Sequence, residues 1–198
     1  MDSQASQTDP ADLHPLEIDP PQAMGGIWVF AYGSLMWQPD FPYAEVRPAL
    51  LRGYHRSLCV YSVRYRGTPE KPGLVLGLDR GGACSGRAYR VNRCDWEAVR
   101  EYLYSREMVT RTYEPRFVNV RLDCGTRVPA YAFVVRRDHP QYTGNMPEEQ
   151  IVELVRRGVG ARGRASEYLA NTVAHLNACG IADGLLHRIL AMVEADRA

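Results

Sequence analysis

A chain of 198 residues, 45% of them hydrophobic, is long enough to bury a core of its own as one compact domain. Its formal charge of +1 lacks the basic excess that nucleic-acid binding or attachment to a membrane surface calls for, so neither partner is expected. Five cysteines (Cys59, Cys84, Cys94, Cys124, Cys179) form no CxxC pair, which argues against a disulfide framework or a structural zinc site and for free thiols in a reducing compartment.

Residues 1–24 are polar, acidic and dotted with proline, and are expected to form a mobile leader, with residues 25–198 as a single folded domain. The leader has no basic stretch followed by an apolar one, and no later segment is apolar for long enough to span a bilayer, so a cytoplasmic location is expected. Gly25-Gly26 hinges into the run from Ile27 to Trp37, which starts as a fully apolar, aromatic-rich strand and breaks at Gly33-Ser34. Such a run reads as a strand buried on both faces. The glycine lets the backbone turn and approach a ligand closely, so that successive N–H groups can point at a carboxylate or carbonyl oxygen. The alternative is an ordinary core strand with an ordinary turn.

Val46–Tyr54 and His55–Val63 read as two further strands, followed by a polar loop from Arg64 to Gly73 that holds two prolines. Leu74–Asp79 and Cys84–Val91 flank Gly81-Gly82, a hairpin signal. A helix then begins with Asn92 as N-cap and Asp95 in its first turn, and Trp96, Val99 and Leu103 follow at helical spacing. Pro115–Leu122 and Val128–Val135 read as a strand pair. After a loop of turn formers, a helix starts at Pro147. A glycine-arginine linker from Gly158 to Gly163 leads to a helix over Ser166–Cys179 stopped by Gly180, and Asp183 caps a last helix that runs through Val193. Strands first, with one helix among them, and helices last make an α+β pattern. Seven strands on mostly short loops predict a small mixed β-barrel with flanking helices.

One carboxylate stands on the wrong face of its helix. Glu107 follows Trp96 by eleven positions, which puts the two roughly 20° apart around the axis, and it follows Leu103 by four. It therefore shares the apolar stripe, whereas Glu97 and Glu101 lie towards the polar side. A buried glutamate has its pKa raised, and one tuned to about 6–7 is a competent general base near neutral pH. The alternative is a helix that frays before Glu107 and leaves it paired at the surface with Arg106 or Arg111. Cys94 falls in the first turn of the same helix, where the dipole lowers a thiol pKa. His55, His139, His175 and His187 have no metal-ligand spacing, and there is no phosphate loop, GxGxxG or GxSxG.

These residues resemble those of the ChaC-type γ-glutamylcyclotransferases. Tyr32-Gly33-Ser34-Leu35 is similar to the family's opening motif. Arg66-Gly67, Lys71-Pro72-Gly73, Gly77-Leu78, Gly86 with Ala88-Tyr89-Arg90-Val91, Tyr104-Ser105-Arg106-Glu107-Met108, His139-Pro140-Gln141-Tyr142 and Ser166-Glu167-Tyr168-Leu169 follow in its order. The likeness runs from about Ile27 to Val193. Two positions depart from it: Ala31 stands where many relatives have glycine, and Tyr65 where many have histidine.

The resemblance implies a γ-glutamylcyclotransferase-like fold and a reaction without metal or organic cofactor. In that reaction the α-amine of a γ-glutamyl group attacks its own γ-amide, 5-oxoproline forms and an amine leaves; for this branch the substrate is glutathione and the leaving group Cys-Gly. Carried onto this chain, Glu107 is the general acid/base and Phe30 to Leu35 (Phe30, Ala31, Tyr32, Gly33, Ser34, Leu35) hold the γ-glutamyl part. Tyr142 and Tyr168 are candidates for the pocket wall, with a core or surface position as the alternative. Arg66 is a candidate for a substrate carboxylate, with a solvated loop arginine as the alternative. Two other readings stay open at this point: a cyclotransferase acting on other γ-glutamyl amines or amino acids, and a non-catalytic binding or regulatory protein of the same fold. No oligomeric state is read from the sequence.

Overall fold

The apolar run that opens the folded region becomes β1, Ile27–Ala31, with every residue buried, as expected of a strand covered on both faces. The structure, a computed structural model, describes residues 25–195; the leader expected over residues 1–24 lies outside the described residues. Two long strands follow, β2 (Glu45–Ser62) and β3 (Gly73–Val91), then α1 (Trp96–Glu107), β4 (Tyr113–Leu122) and β5 (Arg127–Val135). The C-terminal part holds α2 (Glu148–Arg157), a ribbon of β6 (Val159–Gly160) and β7 (Gly163–Arg164), α3 (Ala165–Ala178) and α4 (Gly184–Ala195).

Five strands close into a barrel in the order β1-β3-β2-β4-β5, shut by parallel pairing of β1 with β5 and antiparallel everywhere else. The small mixed β-barrel with flanking helices expected of an α+β chain is therefore present, with two corrections. The stretches read as Val46–Tyr54 and His55–Val63 are one strand, and so are Leu74–Asp79 and Cys84–Val91. Gly81-Gly82 makes no hairpin. Arg52 pairs with Ala83 and Tyr54 with Arg80, so the two glycines face the single Gly53 across a bulge, and all three have positive φ. The ladder bends there and continues, which is how a long strand turns a barrel corner. The chain reverses between β2 and β3 in the Arg64–Gly73 loop.

Two cores follow from the alternation of each strand. Strand residues alone (Trp28, Phe30, Leu51, Leu78, Val120, Ala130, Ala132 and others) fill the barrel. The opposite faces of the same strands, with Val29, Ala31, Leu76 and Tyr131, pack against the helices through residues such as Leu103, Val155, Leu169, Leu176 and Ile189. The helix after β3 starts later than expected. Asn92 opens a turn in which the Asp95 N–H bonds the Asn92 carbonyl at 3.1 Å, and Asp95, not Asn92, is the N-cap. Its far end holds its form to Glu107, the last helical residue. Pro147 is the N-cap of α2, and Cys179 and Gly180 end α3. Asp183 accepts from the Leu186 N–H at 3.3 Å, as expected of the cap of α4. Among the described residues no helix is long and apolar enough to cross a membrane.

Candidate active site

Beyond β1 the backbone is pinned from behind. Arg56, buried in β2, donates through Nε to the Tyr32 carbonyl at 2.5 Å and through Nη2 to the Ser85 carbonyl at 2.7 Å. Its Nη1 meets Asp183 Oδ2 at 3.0 Å, which ties this anchor to the start of α4. The Tyr32 hydroxyl donates to the Phe133 carbonyl at 3.0 Å, so Tyr32 is held at both ends. Ser34–Met36 then forms a single 3-10 turn, closed by the Met36 N–H on the Gly33 carbonyl at 2.8 Å and the Gln38 N–H on the Ser34 carbonyl at 2.9 Å. The leading N–H groups of such a turn have no partner within it. Among the described residues no acceptor takes those of Gly33, Ser34 and Leu35. All three residues line a cavity of about 180 Å³.

Gly33 keeps this cavity open. Its φ of −129° is one that other residues adopt. A Cβ there would sit 3.7 Å from Leu76 Cδ1 and 3.8 Å from the Tyr168 hydroxyl, in space that is otherwise open beside the turn.

The end of α1 supplies the opposite wall. Glu107 lines the cavity with its side chain 21% exposed, so the helix neither frays before it nor turns it out to the surface. Burial pushes its carboxyl above the ordinary carboxylate range, and Arg106 and then Arg162 pull it back. Arg106 Nε lies 3.4 Å from Glu107 Oε1. The pairing weighed above as a surface feature is thus found inside the site. The same guanidinium joins α1 to the turn: Nη2 donates to Ser34 Oγ at 3.1 Å, and Nη1 to the Gln38 carbonyl and the Tyr102 hydroxyl, each at 2.7 Å.

Three tyrosines complete the wall. The Tyr113 hydroxyl donates to the Leu76 carbonyl at 2.7 Å, and Tyr168 has a hydrogen bond with the Leu76 backbone. Burial, reinforced by the nearby Glu107 carboxylate, raises the hydroxyls of Tyr32 and Tyr113 well above their ordinary value and pushes Tyr168 up to about 12. All three therefore stay protonated near neutral pH.

Of the residues singled out from the sequence, Phe30, Tyr32, Gly33, Ser34, Leu35, Glu107 and Tyr168 meet around this cavity. Three do not line it. Ala31 ends β1 with its side chain in the core beneath the helices. Tyr142 bridges to Val60 and donates to Asp79 Oδ2 at 2.8 Å, while its neighbour Gln141 reaches the cavity. Arg66 lies behind the wall, its guanidinium 5.3 Å over the Tyr168 ring, and donates to the carbonyls of Arg162 and Arg164. Among the described residues no cysteine or histidine lines the cavity either. Cys59 and Cys84 are buried, which pushes their thiols up to about 12 and about 11; Cys94 is exposed.

Sequence reading missed Arg106, Tyr113 and Arg162 as wall residues. Arg106 adjoins Glu107 and was weighed only as its surface partner. Tyr113 and Arg162 come from a strand start and a glycine-arginine linker, and their approach to α1 has no local sequence signature.

The model of the family described as ChaC-like protein matches residues 27–196. The chain belongs to the ChaC-like family. Among its relatives is the glutathione-specific γ-glutamylcyclotransferase of Escherichia coli K12, 34% identical over 86% of this chain and 74% of that protein. Another is the human glutathione-specific γ-glutamylcyclotransferase 1, 33% identical over 86% of this chain and 78% of the relative. This ChaC-like chain also superposes on the crystal structure of a yeast γ-glutamyl cyclotransferase specific to glutathione. There the TM-score is 0.78 at 24% identity, over 87% of this chain and 100% of the other, a likeness of fold.

Proposed function

We propose that this ChaC-like chain cleaves glutathione to 5-oxoproline and Cys-Gly, with Glu107 carrying the proton. The observation behind the reading is that a 3-10 turn with outward N–H groups and a half-buried glutamate of raised pKa, more than seventy residues apart, face one cavity. Relatives named glutathione-specific γ-glutamylcyclotransferases, at 33–34% identity, support the substrate.

The chemistry needs few parts. The γ-glutamyl α-amine arrives as ammonium and gives one proton to the Glu107 carboxylate. The freed amine nitrogen attacks the γ-amide carbonyl carbon, forming the new C–N bond and leaving a negative charge on the oxygen. Collapse of this tetrahedral species breaks the original amide C–N bond as the departing Cys-Gly nitrogen takes the proton back from Glu107. The ring nitrogen then gives its second proton to the same carboxylate, which passes it to the amine, so that Cys-Gly leaves as the ammonium and Glu107 returns to carboxylate. The N–H groups of the Gly33–Leu35 turn serve the γ-glutamyl oxygens, where donors fixed in advance stabilise developing charge. Because the attack is intramolecular, the cavity's task is to hold the folded-back conformer. Arg106 acts by positioning, holding Ser34 and Glu107 on opposite walls of one space. Exposed free thiols at Cys94, Cys124 and Cys179 fit a reducing cytosol as the working compartment.

The test is 5-oxoproline release, followed by mass spectrometry, from glutathione and from γ-glutamyl-alanine. Release from glutathione is expected, with Glu107→Gln slower by roughly 10²-fold or more. Turnover of γ-glutamyl-alanine alone overturns the substrate assignment. Full activity in Glu107→Gln overturns the assignment of the base.

A further inference from the structure

At the mouth of the cavity, Tyr65 carries two cations. The Arg162 guanidinium lies 4.4 Å from the centre of its ring and that of Arg64 5.7 Å away. Tyr65, Arg64 and Arg162 all line the cavity, and both arginines are exposed at its rim.

The placement of this group is built into the backbone. The β6–β7 ribbon lies along the loop after β2, with the Ala161 N–H on the Arg64 carbonyl and the Arg162 N–H on the Tyr65 carbonyl, each at 2.9 Å. Gly160 packs so tightly that a Cβ there would fall 2.5 Å from the Tyr65 carbonyl carbon and 2.6 Å from the Gly67 nitrogen. Arg66 reinforces the contact from the other side by donating to the Arg162 and Arg164 carbonyls. Two loops are thus clamped together, and the clamp places the Arg162 guanidinium over the Tyr65 ring, 4.4 Å from its centre.

The charge in the cavity is unbalanced. Its ionic side chains are Arg64, Arg106 and Arg162 against the single carboxylate of Glu107. Arg106 is engaged by Ser34, Gln38, Asp40, Tyr102 and Glu107. Among the described residues neither Arg64 nor Arg162 forms an ion pair, and the guanidinium of each lies over Tyr65 at the cavity. A γ-glutamyl tripeptide carries two carboxylates. One belongs to the γ-glutamyl end and must lie near the turn and Glu107. The other lies two residues beyond the γ-amide carbonyl, roughly 7 Å from that carbon in an extended chain, and needs a cation at the rim.

We propose that Arg162, laid on Tyr65 and assisted by Arg64, binds the C-terminal carboxylate of the tripeptide and so selects a γ-glutamyl dipeptide leaving group over a shorter or uncharged one. The inference rests on the glutathione reading above and assigns the part of the substrate that this reading leaves unbound. An arginine–carboxylate contact of this kind is directional and charge-assisted.

Two substrates separate the possibilities: glutathione, and glutathione whose glycine carboxylate is blocked as the ethyl ester. Rates are taken on the alkaline plateau, where Glu107 is ionised in every variant. The unmodified protein should prefer the free acid by roughly 10-fold to 100-fold in kcat/KM, the range of a hydrogen bond to a charged group. Arg162→Gln should abolish that preference by raising KM for glutathione, with kcat kept and the ester unaffected. Tyr65→Leu should weaken the preference and Tyr65→Phe, which retains the ring, should restore it. An equal loss on both substrates in Arg162→Gln overturns the inference, because the arginine would then serve the shared γ-glutamyl part; an intact preference overturns it as well. No 5-oxoproline from either substrate with the unmodified protein brings down the underlying reading, an outcome distinct from 5-oxoproline formed without discrimination.

Discussion

Arg106 donates to the Ser34 hydroxyl at 3.1 Å while its Nε lies 3.4 Å from Glu107, so one guanidinium spans the 3-10 turn and the carboxylate that ends α1. Replacing it by Met removes both the strut and the nearest positive charge. Since Arg106 is the larger of the two influences that hold the Glu107 pKa down, its loss should raise that pKa. The acid limb of the kcat/KM profile should then move to higher pH, with a lower plateau because the turn is no longer tied to α1. An acid limb that stays in place would separate Glu107 from the ionisation that controls the rate.

Glu107 should also destabilise the fold near neutral pH. Its carboxyl titrates higher in the folded chain than in the unfolded one, so the folded state binds the extra proton in the window between the two values. Stability from this group is full below the unfolded value and falls as pH rises through the folded value. Thermal melts of Glu107→Gln against the parent should therefore diverge with rising pH, the variant being the more stable at neutral pH and the gap shrinking in acid.

Arg56 and Asp183 form an ion pair at 3.0 Å with side chains only 3% and 16% exposed. Arg56→Met strands the Asp183 carboxylate and frees the Tyr32 and Ser85 carbonyls together. A loss of about 3–5 kcal/mol in urea unfolding is expected, the range for breaking a buried pair from one side. Asp183→Asn retains a cap for α4 and should cost less.

Tyr142 separates a structural role from a catalytic one. Burial opposes ionisation of Asp79, but hydrogen bonds from Arg137, Tyr142 and the Arg80 N–H outweigh it and hold the carboxyl below its usual range. Tyr142→Phe removes one of these bonds outside the cavity. It should cost about 1 kcal/mol of stability and leave kcat/KM for glutathione unchanged. A large drop in kcat with the melting temperature intact would return Tyr142 to the site.

The thiols should be dispensable. Blocking the exposed Cys94, Cys124 and Cys179 with iodoacetamide under native conditions leaves the cavity untouched, and the buried Cys59 and Cys84 are held protonated. Activity should persist through alkylation. Complete inactivation with the fold retained would point to a thiol nucleophile.

Where local physics is sufficient, the sequence was legible. The apolar run of β1, its break at Gly33-Ser34, the last three helices and the position of Glu107 on the apolar stripe of α1 all follow from periodicity and turn chemistry. The long strands were misread for a physical reason. Gly81-Gly82 with positive φ is the local signature of a hairpin, and the same conformation serves a bulge when a partner strand bends alongside. Only the partner, here Gly53 in β2, decides between the two.

The sequence by itself determined that the opening apolar strand breaks at Gly33-Ser34 and that Glu107 falls on the apolar stripe of its helix, because backbone sterics and helical periodicity act over a few residues. That they share a cavity was decided by the closure of the barrel. Parallel pairing of β1 with β5 sets the turn after β1 beside the β4–β5 hairpin, in which Tyr113 pairs with Val135, and the β6–β7 ribbon lies on the loop after β2. These long-range backbone contacts set Arg162 on Tyr65 and Arg106 between Ser34 and Glu107, and no pattern within either segment encodes the other's position.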